Sequence, residues 1–466
     1  MKQLAKNFLS LVSSEIARKI LGFLSVAYLA RTLSLADFGL VSLGFTILSY
    51  TINISTAGLN LYGIRETAHG ADTDLVGRLI SLRLALSAAV FVLTAMVCLM
   101  FVRDPLMSKL IIAFNGSLFA YAFLLEWLFQ GRESMRTVSF GKSVTAAVYL
   151  VLVLLLVHSD HDVLWVAAAS VTADFVMMLF YYARYRREGN KIRLRTERTA
   201  WKQLMQQSLP LGLGTILGQI SSNVAPLIIA IIMTTNEVGL YSAAMKLVVF
   251  LLLFDRVLGV LLLPASARLQ SVSPEQLAPR LADALRWILL AALPICLGGT
   301  VLSNDIIRLV FGGTFEAAGG IFRILIWFLC FTMIHTVYTS GLVAIAPSGV
   351  YGRVMGISAI IYVVAITVLT KLFGLYGTVT GVVCSEGLTL LISRMSLRPY
   401  LKISPSVPIQ WVLVALAVMA IAVSALQPYN VILRVIAGAL LYFSTLLLFR
   451  VFSFNEIAGL VWRKSS

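Results

Sequence analysis

Arg18, Lys19, Arg83 and Lys246 stand inside runs that are otherwise apolar, and so do Glu15, Glu126, Asp174, Asp255 and Glu386. Side chains of these types hold an anion, carry a proton or a metal cation, or neutralise one another. Inside a membrane each costs roughly 2.5–3.5 kcal/mol at the centre of a helix, so such groups face a cavity or a partner. Arg forks and Lys point charges would offset the charge of a pyrophosphate. Glu15, Arg18 and Lys19 share one helix face, because spacings of three and four align, and Lys19 lies about 17 Å into its helix. The plainer alternative is pairing: Glu15 with Lys19, with Arg83 reaching the inner headgroups along its own stem. Asp255 and Arg256 are adjacent and so point to different sides. Asp174, Glu386 and the other acids read as structural or as coupling groups for H+ or Na+.

The elements that must position these residues are transmembrane helices. Of 466 residues, 59% are hydrophobic and 12% charged, roughly half the charged share of an average soluble domain. Apolar runs of about 20 residues recur, the length a helix needs to cross a hydrocarbon core, and they lack the period-two alternation of an outer-membrane barrel. About fourteen spans are predicted, near 8–30, 38–61, 77–101, 107–129, 138–158, 162–183, 205–232, 238–263, 285–311, 319–345, 351–371, 375–396, 408–427 and 431–452. The first reads as a helix of the mature chain, since Glu15, Arg18 and Lys19 interrupt it and no cleavage site follows. Lys and Arg concentrate in alternate loops and in the segment from Arg184 to Lys202, whereas His158–Asp162 and Met233–Val238 have none. That alternation places both termini in the cytoplasm and explains the net charge of +16 without nucleic acid.

Four parts are expected: an N-terminal lobe at 1–184, a basic cytoplasmic linker at 185–202, a C-terminal lobe at 203–399, and a final helix pair with a tail at 400–466. The two lobes read as copies. Asp37-Phe38-Gly39-Leu40-Val41-Ser42 matches Glu237-Val238-Gly239-Leu240-Tyr241-Ser242, Gly141-Lys142 matches Gly352-Arg353, and Asp174 matches Glu386. Six helices per copy keep the same orientation, which makes parallel repeats of a kind found in transporters. The seventh span holds Pro210, Gly214, Gly218 and Pro226 and is expected to kink, either as a gate or as a tightly packed helix.

Catalysis is the weaker class. The expected outside loops are short, and no P-loop, HExxH or paired acidic motif is present. His158, Asp160, His161 and Asp162 are the one cluster with metal-binding types, and short exposed turns commonly hold such residues. Cys98, Cys296, Cys330 and Cys384 lie in predicted helices without a CxxC, so neither a disulfide framework nor a zinc site is indicated. No cofactor is expected.

The chain resembles the Wzx-type polysaccharide flippases of the multidrug/oligosaccharidyl-lipid/polysaccharide exporter superfamily. The resemblance rests on Leu29-Ala30-Arg31-Thr32-Leu33, Phe38-Gly39-Leu40, Gly58-Leu59, Tyr62-Gly63-Ile64-Arg65-Glu66, Glu126-Trp127-Leu128-Phe129-Gln130-Gly131, Val238-Gly239-Leu240-Tyr241-Ser242-Ala243-Ala244 and Leu375-Tyr376-Gly377. It covers the first twelve spans. It implies a V-shaped, two-lobed all-α membrane fold with a cavity between six-helix lobes. It also implies alternating access that carries an undecaprenyl-pyrophosphate-linked oligosaccharide between leaflets, with membrane lipids and other polysaccharide assembly proteins as partners. The headgroup-binding role of such cavities would fall to Arg18, Lys19, Arg83 and Lys246. A cation-coupled multidrug exporter expects a more acidic cavity, a polymerase or ligase expects a large outside loop, and a lipid II-type flippase differs little in sequence terms.

Overall fold

A computed structural model describes residues 2–70, 73–404, 407–427 and 429–452, with side chains from Ile16 onward except at positions 73, 217, 221, 222 and 348, and the described residues contain helices and no strand. In chain order the helices are α1 (Lys2–Thr32), α2 (Leu35–Thr56), α3 (Leu59–Ala68), α4 (Thr73–Phe101), α5 (Pro105–Asn115), α6 (Ser117–Phe123), α7 (Glu126–Gly131), α8 (Met135–Leu156), α9 (Val163–Arg187), α10 (Arg198–Asn223), α11 (Ala225–Ile232), α12 (Thr235–Leu251), α13 (Leu253–Val272), α14 (Leu277–Val301), α15 (Ser303–Phe311), α16 (Ala318–Ile345), α17 (Ser348–Leu397), α18 (Ile409–Ala425) and α19 (Val431–Leu448). Every expected span falls on helix. Among the described residues ten stretches are long and apolar enough to cross a membrane, and the bent pair α10–α11 makes an eleventh.

Two of the expected spans are joined within α17. Gly374 breaks that helix with φ 60° and ψ −143°, a conformation open to glycine and costly for other residues. The chain turns back on itself there. The hydroxyls of Thr370 and Thr378 lie 2.8 Å apart, whereas eight residues of straight helix would separate them by about 12 Å. A Cβ at Gly381 would lie 3.2 Å from Ile366 Cα, so the two arms pack backbone against backbone.

The sequence motif shared by α2 and α12 has the same local structure in both places. Ser34 precedes α2; its hydroxyl donates to Asp37 Oδ2 at 2.5 Å and accepts from the Asp37 N–H at 3.2 Å. Thr234 precedes α12, and both its N–H, at 3.1 Å, and its hydroxyl donate to Glu237 Oε2. These are capping-box contacts, which satisfy groups that a helix start leaves bare. The glycine two residues after each acid meets the other copy: a Cβ at Gly39 would strike the Thr235 carbonyl oxygen, and one at Gly239 the Leu35 carbonyl oxygen. The two motifs are thus each other's packing partner.

The chain packs as two units, Met1–Lys246 and Leu247–Ser466. The basic linker divides the sequence, yet the first packing unit runs past it to take in α10, α11 and most of α12. The linker is tied down on α4: Ser81 donates to the Arg195 carbonyl at 2.5 Å, and Arg195 pairs with Asp74 at 2.9 Å. In the second unit α18 and α19 dock on α14 and α15. Leu290, Leu416, Met419, Tyr442 and Leu446 form the apolar contact. Buried Arg434 ties it, donating to the Val423 carbonyl at 3.0 Å and pairing with Asp305 at 2.7 Å.

Gly39→Ala and Gly239→Ala should each lower thermal stability by the equivalent of about 1–3 kcal/mol, because a methyl group must displace backbone there. Gly214 has open space around its Cβ position, so Gly214→Ala should raise stability by about 0.5–1 kcal/mol. Melting of the purified variants in one detergent checks both signs.

Candidate functional site

The fourth expected span is a chain of three short helices, α5, α6 and α7, and the break between the last two builds the site. Leu124 is extended (φ −67°, ψ 119°), which ends α6 and leaves carbonyls without helical partners. Arg83 of α4 meets them. Its guanidinium donates to the Leu124 carbonyl at 3.0 Å and to the Tyr121 carbonyl, and the residue is 1% exposed. The chain restarts as α7 with Glu126 at its first position, where the helix dipole favours a carboxylate.

Glu126 points into a cavity of about 470 Å³, walled by α1, α2, α6, α7, α8 and α9 of the first unit. Its Oε1 pairs with Lys142 Nζ at 2.7 Å and accepts from Gln130 Nε2 at 2.5 Å. Arg18 from α1 and Asp174 from α9 also line the cavity, and Asp174 is 8% exposed. Tyr121, Tyr149, Thr145 and Ser170 supply hydroxyls, and Phe45, Met177 and Ala173 supply apolar wall. Both acids and Arg18 act electrostatically on Tyr121. The cavity therefore carries two cations and two carboxylates at close quarters, with hydroxyls and aromatic faces between them.

The family model described as polysaccharide biosynthesis protein matches residues 4–270. The chain belongs to this family. A probable low-salt glycan biosynthesis flippase, Agl15 of Haloferax volcanii, is 23% identical over 177 residues, and that match covers 38% of either chain. Among solved structures, the lipid II flippase MurJ in an inward closed conformation aligns with TM-score 0.74 at 13% identity, covering 94% of this chain and 98% of that one. An inward-facing multidrug resistance MATE family transporter of the MOP superfamily aligns with TM-score 0.62 at 14% identity, covering 82% of this chain and 95% of that one. At these identities the structures establish the fold, and this member of the polysaccharide biosynthesis family has the fold of those transporters.

The sequence-predicted residues separate in space. Arg18, Glu126 and Asp174 come together in the cavity. Arg83 does not line it: the guanidinium expected to face substrate or headgroups is buried against carbonyls, because a broken helix inside a membrane has no water to satisfy it. Lys19, next to Arg18, and Lys246 of α12, both half-buried, are also not on the cavity wall. The side chain of Glu15 lies outside the described residues. Asp255 and Glu386 belong to the second unit, where Asp255 accepts from Thr336 at 2.6 Å and Glu386 faces His335 at 3.0 Å. Lys142 is a cavity residue that the sequence reading does not single out, although a lysine inside a predicted span is a usable signal. The kink in the seventh span falls at Val224, with a bend of 59° between the helical arms. Pro226 is the second residue of α11, Pro210 lies inside α10, and the Cβ positions of Gly214 and Gly218 meet open space. Tight packing therefore does not explain those two glycines. In the loop at 158–162, Asp162 Oδ2 accepts from the His158 and Ser159 N–H groups, each at 3.0 Å, which makes it a helix cap. Among the described residues no group of three His, Cys, Asp or Glu is placed to hold a metal.

Arg83→Leu should cost about 2–5 kcal/mol of stability, since it strips the Leu124 carbonyl of its donor and leaves the Tyr121 carbonyl with only the Leu124 N–H. Lys142→Gln should cost less than about 1 kcal/mol, because that side chain is 39% exposed. Chemical or thermal unfolding of the two variants distinguishes scaffold from cavity wall.

Proposed function

We propose that this family member is a flippase that moves an undecaprenyl-pyrophosphate-linked oligosaccharide, an O-antigen or related repeat unit, across the cytoplasmic membrane by alternating access. The observation that carries the reading is the cavity, where Arg18 and Lys142 stand within an apolar helical unit of a polysaccharide biosynthesis protein. A pyrophosphate needs cations whose present partners can be exchanged. Lys142 is such a group: it is held by a single carboxylate and is partly exposed. When phosphate oxygens take Lys142, Glu126 keeps its bond from Gln130. Tyr121, Tyr149, Thr145 and Ser170 are suited to sugar hydroxyls, and the tyrosine faces to the apolar side of a pyranose ring. The names of the relatives, a glycan flippase and a lipid II flippase, support the substrate class. The chain does no bond-breaking of its own in this reading, and the bent α10–α11 pair is the element that moves.

A cationic drug would instead seek Glu126 and Asp174. Lys142 already neutralises the first of these, so the cavity offers a lone cation little net attraction.

Deleting the gene should trap lipid-linked oligosaccharide on the inner leaflet and abolish surface glycan. Complementation with Arg18→Gln or Lys142→Gln should restore protein level but lower surface glycan at least about tenfold, a loss equal to about 1.4 kcal/mol of headgroup binding. Normal display from both variants would remove the cavity from the mechanism. Lipid-linked repeats that reach the outer leaflet and remain unpolymerised in the deletion strain would point to a polymerase.

A further inference from the structure

The second unit holds a polar cluster that plays no part in the cavity. His335 of α16 presents Nδ1 3.0 Å from Glu386 Oε1 of α17, and the two side chains are 14% and 15% exposed. The adjacent Thr336 donates to Asp255 of α13 at 2.6 Å, so three helices meet here through side-chain hydrogen bonds. Among the described residues, His335 Nε2, on the far side of the ring, is buried without a hydrogen-bond partner, and so are the hydroxyls of Thr332 and Thr339. Those threonines lie three residues before and four after His335, which places them above and below it on one face of α16. Buried polar atoms are nearly always paired, so such a stripe calls for a ligand that can bond to it.

The charged groups that face this site can be named element by element. Asp255 interacts electrostatically with Glu386, His335 and Arg256. On α17, Arg394 acts on Tyr338, three residues along α16 from His335. α14 packs on α16 through Gly341 against Leu281 and Gly299 against Ile326. Between those contacts α14 carries Asp283, which is exposed, and Arg286, which donates to the Val451 carbonyl. On α15, Asp305 is held by Arg434, and Asn304 meets α16 at Gly319, near its start. Glu386 is therefore the anion in direct contact with the His335 ring.

We propose that His335 and Glu386 form a proton-binding site, and that H+ rather than a metal cation is the ion the second unit takes up and releases. The unloaded state is a neutral imidazole whose Nδ1–H donates to ionised Glu386, leaving the Nε2 lone pair free. A proton adds at Nε2, and the pair goes from a net charge of −1 to neutral as an imidazolium–carboxylate. Thr332 and Thr339 are placed to bridge the water that delivers it. Hard monovalent and divalent metal cations need several oxygen ligands. Here, among the described residues, no three His, Cys, Asp or Glu side chains are placed to share one metal ion. Loading strengthens the tie between α16 and α17, and unloading weakens it. The role in transport rests on the flippase reading, whereas proton binding itself does not.

The test uses the full chain, labelled with 13C,15N-histidine and held in lipid nanodiscs. It has four histidines, of which His69, His158 and His161 are exposed, and His335→Asn assigns the remaining signal. Across a pH series the His335 ring signals should report a change of protonation, and Glu386→Gln should alter that response while leaving the other three histidines unmoved. A His335 ring that shows no change of protonation across the series, or a response indifferent to Glu386→Gln, overturns the proposal. In cells, His335→Asn keeps a donor to Glu386 but cannot titrate. At wild-type protein level it should lose the dependence of glycan delivery on external pH, and delivery that keeps its full pH dependence overturns the coupling role. Should the gene deletion leave lipid-linked sugars normally distributed, the flippase reading falls while the titration result still decides the proton site.

Discussion

A helix broken inside a bilayer exposes carbonyls to a medium with no water to bond them, and in this protein one guanidinium resolves that problem. Arg83 occupies the break after α6 so that the chain can bend and restart at Glu126. Without the break the fourth span would continue as a regular helix, and Glu126 would be carried round onto a different face. With it, the carboxylate enters the cavity at the start of α7 and fixes Lys142 of α8 by an ion pair. The functional wall is thus secured by a cation that never reaches it. A long, always-charged side chain with five donors suits this task better than lysine, because it can bridge carbonyls at two positions of the same break.

Side chains close backbone groups elsewhere in the first unit as well. Helix starts are closed by Ser34 with Asp37 and by Thr234 with Glu237, and the linker carbonyl of Arg195 is met by Ser81. In lipid there is no hydrophobic drive between helices, so close backbone approach and internal hydrogen bonds must do the joining. Gly39 and Gly239 provide that approach, each seated on the other motif's first turn. A duplicated motif that packs against its own copy needs only one set of compatible surfaces, which gives a reason for both copies to keep glycine and a capping acid.

The helices were legible because apolar length is a direct physical requirement, and the turn at Gly374 was legible as a boundary between two such lengths. The shared motif of α2 and α12 was legible as well, although nothing in the sequence showed that the copies touch. The site was harder to see. Sequence gives depth along a helix but not the direction in which a side chain points. Arg18 and Lys19 are neighbours in depth, yet only Arg18 lines the cavity. Arg83 looked like a cavity cation because the break it serves was hidden: residues 107–129 read as one apolar run, and Leu124 has no proline or glycine beside it to announce an end to α6. His335 escaped notice for a different reason. A neutral imidazole carries no insertion penalty comparable to that of a full charge, so it does not stand out in an apolar span until the fold brings Glu386 to it.

The two clusters of ionisable groups differ in the way the two proposed tasks would require. In the cavity the Lys142–Glu126 pair is partly exposed and Glu126 has a second donor in Gln130, so the lysine can leave at little cost and meet an incoming anion. In the second unit the His335 and Glu386 side chains are only 14% and 15% exposed, and among the described residues Glu386 has no second donor. Removing that contact leaves a carboxylate with nothing in its place, which disfavours exchange with a bulky ligand and favours the smallest change available to the pair, the gain or loss of a proton. A large anionic ligand and a proton make opposite demands on a membrane-embedded site, openness in one case and enclosure in the other. In the proposed reading the half-exposed Lys142 of the first unit suits the former and the enclosed His335–Glu386 pair of the second suits the latter.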